Sequence, residues 1–228
     1  MFITLEGTEG AGKTTQVPGL VSFLEKRGYD CLVTREPGGT SAGRAIRQIL
    51  LDPSNHNLAP EAELLLYAAD RAQHVARVIR PALEAGRAVV CDRYCDATEA
   101  YQGAARGLDL RLVADLNRVA AGSTRPDITI LLDLPPEVGL RRAWQRIESN
   151  GPGAADCRFE NEALAFHGRV RQGYLDIAVR EPDRFLVIDA DRGEEAIRAD
   201  LLTELERRLD QSGINAGPDQ HRHKRDRT

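Results

Sequence analysis

Short apolar runs punctuate this chain at Phe2–Leu5, Cys31–Val33, Ala88–Cys91, Ile128–Leu132 and Phe185–Ile188. Each has a strand's length, several are rich in β-branched residues, and together they predict five buried strands. Between them the apolar positions fall at helical spacing: Leu20, Phe23 and Leu24, then Leu64, Leu65, Ala68 and Ala69, then Leu112, Leu116 and Val119. Strands alternating with helices predict an α/β fold with a five-stranded parallel sheet and helices on both faces.

Two stretches break the alternation. The first, from Pro37 to about Leu83, contains a predicted long helix from Pro60 and is a candidate substrate-binding insertion. The second, Ser149 to Asp156, reads SNGPGAAD, and its glycines and proline stop the helix that starts near Glu137. It predicts a mobile lid over about residues 141–160. Residues 1–210 then form one domain, and the polar stretch 211–228, ending HRHKRDRT, reads as a disordered tail.

Bulk properties narrow the chemistry. A net charge of -4 over 228 residues gives no general attraction to nucleic acid or anionic membrane, so any phosphate binding must be local. The longest apolar run, Ile128–Leu134, is far short of the ~20 residues of a membrane span, and no signal-peptide pattern precedes the first strand. A cytoplasmic protein is expected. The four cysteines, Cys31, Cys91, Cys95 and Cys157, form no CxxC pair and read as reduced thiols rather than zinc ligands or disulfides.

The strongest chemical signal is Gly7-Thr8-Glu9-Gly10-Ala11-Gly12-Lys13-Thr14, which fits GxxxxGK[ST] between the first strand and a helix. Its glycines let several backbone N–H groups converge on phosphate oxygens at a helix N-terminus. Lys13 adds charge, Thr14 offers a hydroxyl to Mg2+, and Thr15 completes the expected ATP-binding set. Pro18 lies four residues after Thr14 and predicts a kink or irregular turn. Asp92, at the end of the third strand, is the candidate second acid for the metal, and Arg93 beside it is a candidate phosphate ligand.

Four blocks in order make the resemblance specific. After the phosphate loop come Arg35-Glu36-Pro37-Gly38-Gly39-Thr40, Tyr67-Ala68-Ala69-Asp70-Arg71, and Asp92-Arg93-Tyr94 with Ala100-Tyr101-Gln102-Gly103. To about residue 209 the chain resembles the thymidylate kinases. The resemblance implies a P-loop NTPase fold, ATP and Mg2+, thymidine monophosphate (dTMP) as acceptor, and a homodimer built through sheet-flanking helices such as the one near Leu110–Val119. It implies that Tyr67 stacks on the base, that Arg71 bonds its edge, and that Arg93 with Arg35 grips the monophosphate. It also places Glu9 near the 3'-hydroxyl, Tyr101 beside the sugar, and Gln102 in support. One position departs: the family usually has serine where this chain has Ala97, so Thr98 is expected to supply the polar contact.

Gly10 stands where some thymidylate kinases keep an arginine in the phosphate loop. The chain therefore resembles the bacterial form with lid arginines, here Arg142, Arg146 and Arg158, with Arg141 adjacent. Together with Lys13, Glu9 and Arg93 these make the expected catalytic set. An acceptor phosphate is already nucleophilic near neutral pH, so positioning and charge stabilisation suffice and no general base is required.

Overall fold

A computed structural model describes residues 1–149 and 158–211; the central part of the expected lid, 150–157, and the expected tail beyond Gln211 lie outside the described residues. In chain order the elements are β1 (Phe2–Glu6), α1 (Lys13–Lys26), β2 (Cys31–Arg35), α2 (Ser41–Leu51), α3 (Pro60–His74), α4 (Arg80–Glu84) and β3 (Ala88–Asp92). There follow α5 (Cys95–Thr98), α6 (Leu110–Ala121), β4 (Ile128–Asp133), α7 (Pro136–Ser149), α8 (Leu164–Arg180), β5 (Phe185–Asp189) and α9 (Glu194–Gln211). π-helical turns at Val75–Ile79 and Glu99–Ala105 join α3 to α4 and prolong α5.

All five expected strands form, pair in parallel and lie in the order β2-β3-β1-β4-β5. Each runs one or two residues past its apolar stretch, so that Glu6, Arg35, Asp92, Asp133 and Asp189 end the strands at the carboxyl edge of the sheet. The ladder continues where the hydrophobic pattern stops, because backbone pairing does not require an apolar side chain.

Period-two alternation sends the strand side chains to both faces. Ile3, Leu5, Val90, Ile130, Leu132 and Ile188 pack with Leu20 and Leu24 of α1 and Ile197, Leu201 and Leu205 of α9. The other face carries Leu131 and Phe185 against Val170, Tyr174 and Ile177 of α8. The connection from β1 leaves toward β2, opposite to those from its neighbours β3 and β4, so its carboxyl end opens the crevice where such sheets bind ligands.

Two helices differ from their expected form. α1 runs without interruption through Pro18, correcting the expected irregular turn: one missing backbone bond is outweighed by burial of Gln16, Leu20 and Leu24. In α3 the charged side faces in. Glu63, Asp70, Arg71 and His74 are buried, whereas Leu65 of the expected apolar stripe is 55% exposed.

Candidate active site

The phosphate loop leaves β1 and turns into α1 at Gly12. Lys13 Nζ donates to the carbonyls of Gly7 and Thr8 at 2.9 and 3.0 Å, folding its ammonium back across the loop. Gly10 has φ +69, and a Cβ there would lie 2.0 Å from the Gly139 carbonyl oxygen. In turn a Cβ on Gly139 would lie 2.3 Å from the Glu9 oxygen. The backbones of the loop and α7 thus touch with no room for a side chain, which physically excludes an arginine at position 10.

Around this loop opens a cavity of about 570 Å³. Of the residues singled out from sequence, it is lined by Glu9, Gly10, Ala11, Gly12, Lys13, Thr14, Thr15, Arg35, Tyr67, Arg71, Asp92, Arg93, Thr98, Tyr101, Gln102 and Arg146. Gly7 and Thr8, at the start of the loop, do not line the cavity. Arg47 of α2, which no sequence pattern marked, joins the lining and donates to the Pro37 carbonyl at 3.2 Å.

Arg93 is held at an unusual backbone angle, φ 70, the one non-glycine residue at positive φ among the described residues. Its N–H donates to the Leu5 carbonyl at 3.0 Å. Its guanidinium donates to Tyr174 Oη at 3.0 Å and Glu9 Oε1 at 3.2 Å, and lies 4.9 Å from the centre of the Tyr101 ring. Tyr101 Oη donates to the same Glu9 oxygen at 2.5 Å. Burial alone would push the Glu9 carboxyl up, but His167, Arg93, Lys13 and Tyr101 outweigh it and hold the group at about 2.

Arg71 is buried and nearly saturated. Its Nε donates to Glu36 Oε2 at 2.9 Å, its Nη1 to Asn117 Oδ1 at 2.6 Å, and its Nη2 to Thr98 Oγ1 at 2.9 Å and the Tyr94 carbonyl at 3.1 Å. Four of five N–H groups are committed, leaving one on Nη1. His74 closes the other side of Glu36 at 2.9 Å and meets Thr34 Oγ1 at 2.6 Å. Thr98 accepts from Arg71 and so keeps its own hydrogen for another acceptor. Tyr67, Ala97 and Leu51 form an adjoining partly buried apolar patch.

Asp92 ends β3 beside Leu5 and Arg35, and its Oδ1 is buried with no hydrogen-bond partner among the described residues. A buried carboxylate oxygen left without a donor suits a cation. Thr14 lines the same cavity. Among the described residues no cluster of three or more His, Cys, Asp or Glu is placed to hold a metal.

The three expected lid arginines separate. Only Arg146 reaches the cavity, 61% exposed and 3.7 Å from Glu160. Arg142 donates to the Ala190 carbonyl at 3.1 Å and faces Asp191, at the loop after β5. Arg158, expected beside the transferred phosphate, is instead buried: it pairs with Glu63 of α3 and donates to the Leu50 carbonyl. Glu63 also accepts from Gln102 at 2.8 Å and from Arg106 at 3.3 Å. A carboxylate buried by α3 captures the cation, a long-range pairing that local sequence does not carry.

Behind the loop, burial first and Asp96 second push the Glu6 carboxyl up to about 8, against Arg93, Tyr174 and the Tyr94 N–H. The folded protein keeps this proton at pH values where an unfolded carboxyl, near 4.5, has lost it. Native protein thus binds more protons between these values, and this group makes folding stability fall as pH rises through that window. Glu6→Gln is expected to flatten the decline, measured as urea-unfolding free energy between pH 5 and 8.

The sequence profile of the family described as thymidylate kinase matches residues 5–201. The chain is 66% identical over 207 residues to a thymidylate kinase of Desulfosudis oleivorans, covering 91% of this chain and 97% of that one. It is 61% identical over 189 residues to one of Syntrophotalea carbinolica, covering 83% and 87%. Among solved structures it resembles a thymidylate kinase from Ehrlichia chaffeensis, with a TM-score of 0.70 and 32% identity over 90% of this chain and 98% of that one.

Proposed function

The chain belongs to the thymidylate kinase family, and from that membership we infer that it transfers a phosphoryl group from ATP to dTMP, giving thymidine diphosphate. The observation that carries the reading to this chain's own residues is one cavity lined by Lys13 and Thr14 together with Tyr67, Arg71, Arg93 and Thr98.

The acceptor side reads a pyrimidine carbonyl. Arg71 and Thr98 each retain one hydrogen, so a thymine C4 carbonyl meets two donors, whereas a cytosine amine would set donor against donor. Tyr67, Ala97 and Leu51 offer an apolar surface for the ring and its methyl. Thr98 thereby takes over the polar role left open at Ala97. Arg93, Arg35 and Arg47 supply charge for the monophosphate, and Glu9 and Tyr101 border the sugar.

On the donor side, the loop N–H groups and Lys13 bind the ATP phosphates. Thr14 and the orphaned Asp92 oxygen would hold a magnesium ion, which would neutralise phosphate charge there. Arg146 is the lid arginine for the developing charge. Arg142 holds the loop after β5, and Arg158 anchors its turn on α3. Arg146→Ala is expected to lower kcat about 10²-fold with little change in stability. Arg158→Ala leaves Glu63 partly uncompensated and is expected to cost about 3–5 kcal/mol in denaturant unfolding.

A homodimer through α6 completes the reading. The stripe expected from spacing turns outward, with Leu112 43% and Val119 79% exposed beside Leu110 and Leu65. Val119→Arg is expected to yield a monomer by sedimentation. Among the described residues no helix is long and apolar enough to cross a membrane, and we place the enzyme in the cytoplasm.

The deciding experiment measures ADP formation by the purified protein with ATP, magnesium and each common nucleoside monophosphate in turn. A clear preference for dTMP supports the reading; turnover of another monophosphate, or of none, overturns it.

A further inference from the structure

His167, on α8, belongs to none of the sequence motifs and is 1% exposed. Its Nδ1 lies 3.1 Å from Glu9 Oε2, and its Nε2 lies 3.0 Å from the Phe159 carbonyl oxygen. The Phe166 ring stands at 87° to the imidazole, with centroids 5.5 Å apart. A carboxylate and a backbone carbonyl only accept hydrogen bonds. A neutral imidazole has one N–H, so it would satisfy one partner and turn a lone pair toward the other. Two N–H groups satisfy both.

The two partners belong to different parts of the machinery. Glu9 is in the phosphate loop, where Arg93 and Tyr101 take its other oxygen and Lys13 lies close by. Phe159 lies in the turn at 158–162, between Arg158, seated on Glu63, and Glu160, which faces Arg146 across the cavity. Other charged groups near this junction are Arg106, which lies over the Phe159 and Phe166 rings and pairs with Glu162 at 2.6 Å, and Glu160, whose carboxyl is pushed up by burial first and by Glu9 second.

We propose that His167 is a positioning residue for the phosphoryl transfer: with both ring nitrogens donating, it clamps Glu9 of the phosphate loop to the Phe159 turn. The acceptor-side carboxylate and the Glu160–Arg146 arm are then held in place by one ring. Removing the ring frees Glu9 Oε2 and the Phe159 carbonyl together, so the two regions no longer move as one. The proposal rests on the thymidylate kinase reading for the identity of the acceptor only.

Two measurements on the full chain test it. In protein labelled with 15N-histidine, both His167 ring nitrogens are expected to show protonated shifts at neutral pH; a single unprotonated nitrogen overturns the clamp. Second, Asn at 167 can place its amide near Nδ1, and Gln near Nε2, so each variant keeps one arm. H167Q is expected to raise KM for dTMP, and H167N to lower kcat at nearly unchanged KM, each by about 10- to 100-fold, the scale of a misplaced catalytic geometry. If both variants keep both constants, whether or not they melt lower than the wild type, the ring does not position the transfer and the proposal fails. Failure of the functional reading is separate: the wild type itself would then not phosphorylate dTMP, while the nitrogen shifts are read without substrate.

Discussion

Arg93→Ala is expected to lower kcat/KM for dTMP by about 10²–10³-fold while leaving KM for ATP nearly unchanged, the scale of losing one preorganised charged donor. The side chain is half-buried, cationic and already aimed by Tyr174, Glu9 and the Tyr101 face, so it reorganises little when a phosphate arrives. A companion variant separates the side chain from its backbone. At φ 70 an alanine retains the Cβ strain that a glycine does not feel. Arg93→Gly should therefore be as inactive as Arg93→Ala yet more stable by about 1 kcal/mol in denaturant unfolding. Equal stabilities, or an active alanine variant, would remove Arg93 from its assigned place. Strain of this kind is kept where the surroundings fix the residue for function.

The second large effect belongs to Lys13. Lys13→Met should reduce kcat by about 10²–10³-fold, because among the described residues no other lysine lines the cavity at the loop. Its titration adds a signature. Burial first and Arg93 second lower the Lys13 pKa from 10.5 to about 8, partly offset by Asp92, Glu9 and Glu6. The side chain is cationic below that value and loses its charge as pH rises through it, so KM for ATP should climb above pH 8 in the wild type. In Lys13→Met nothing titrates at this position, and the rise should be absent from steady-state profiles between pH 7 and 9.5. The stability sign is the reverse of that for Glu6. Between about 8 and 10.5 the unfolded chain holds the proton that the folded one has released, so this group makes stability rise with pH there.

The sequence by itself determined the sheet and the phosphate loop. Five apolar runs with helical segments between them allow few arrangements, since parallel strands need crossovers and both faces must be covered. The phosphate loop was equally legible, because contiguous residues on one turn make it and its spacing carries its geometry. Asp92 and Arg93 could be found because they directly follow an apolar strand.

Tertiary structure alone decided how the charges pair. Arg142, Arg146 and Arg158 look alike along the chain, yet one faces the cavity, one holds the loop after β5, and one is buried on Glu63. Arg146 meets Glu160 only 14 positions on, whereas Arg142 meets Asp191 about 50 positions on and Arg158 meets Glu63 95 positions back. The same holds for Arg47, for His167 between Glu9 and Phe159, and for α3, whose charged side faces in because the interior there is a binding cavity and a polar network. Hydrophobic periodicity reports which face avoids water, and it cannot distinguish a helix face turned to solvent from one turned to a nucleotide pocket.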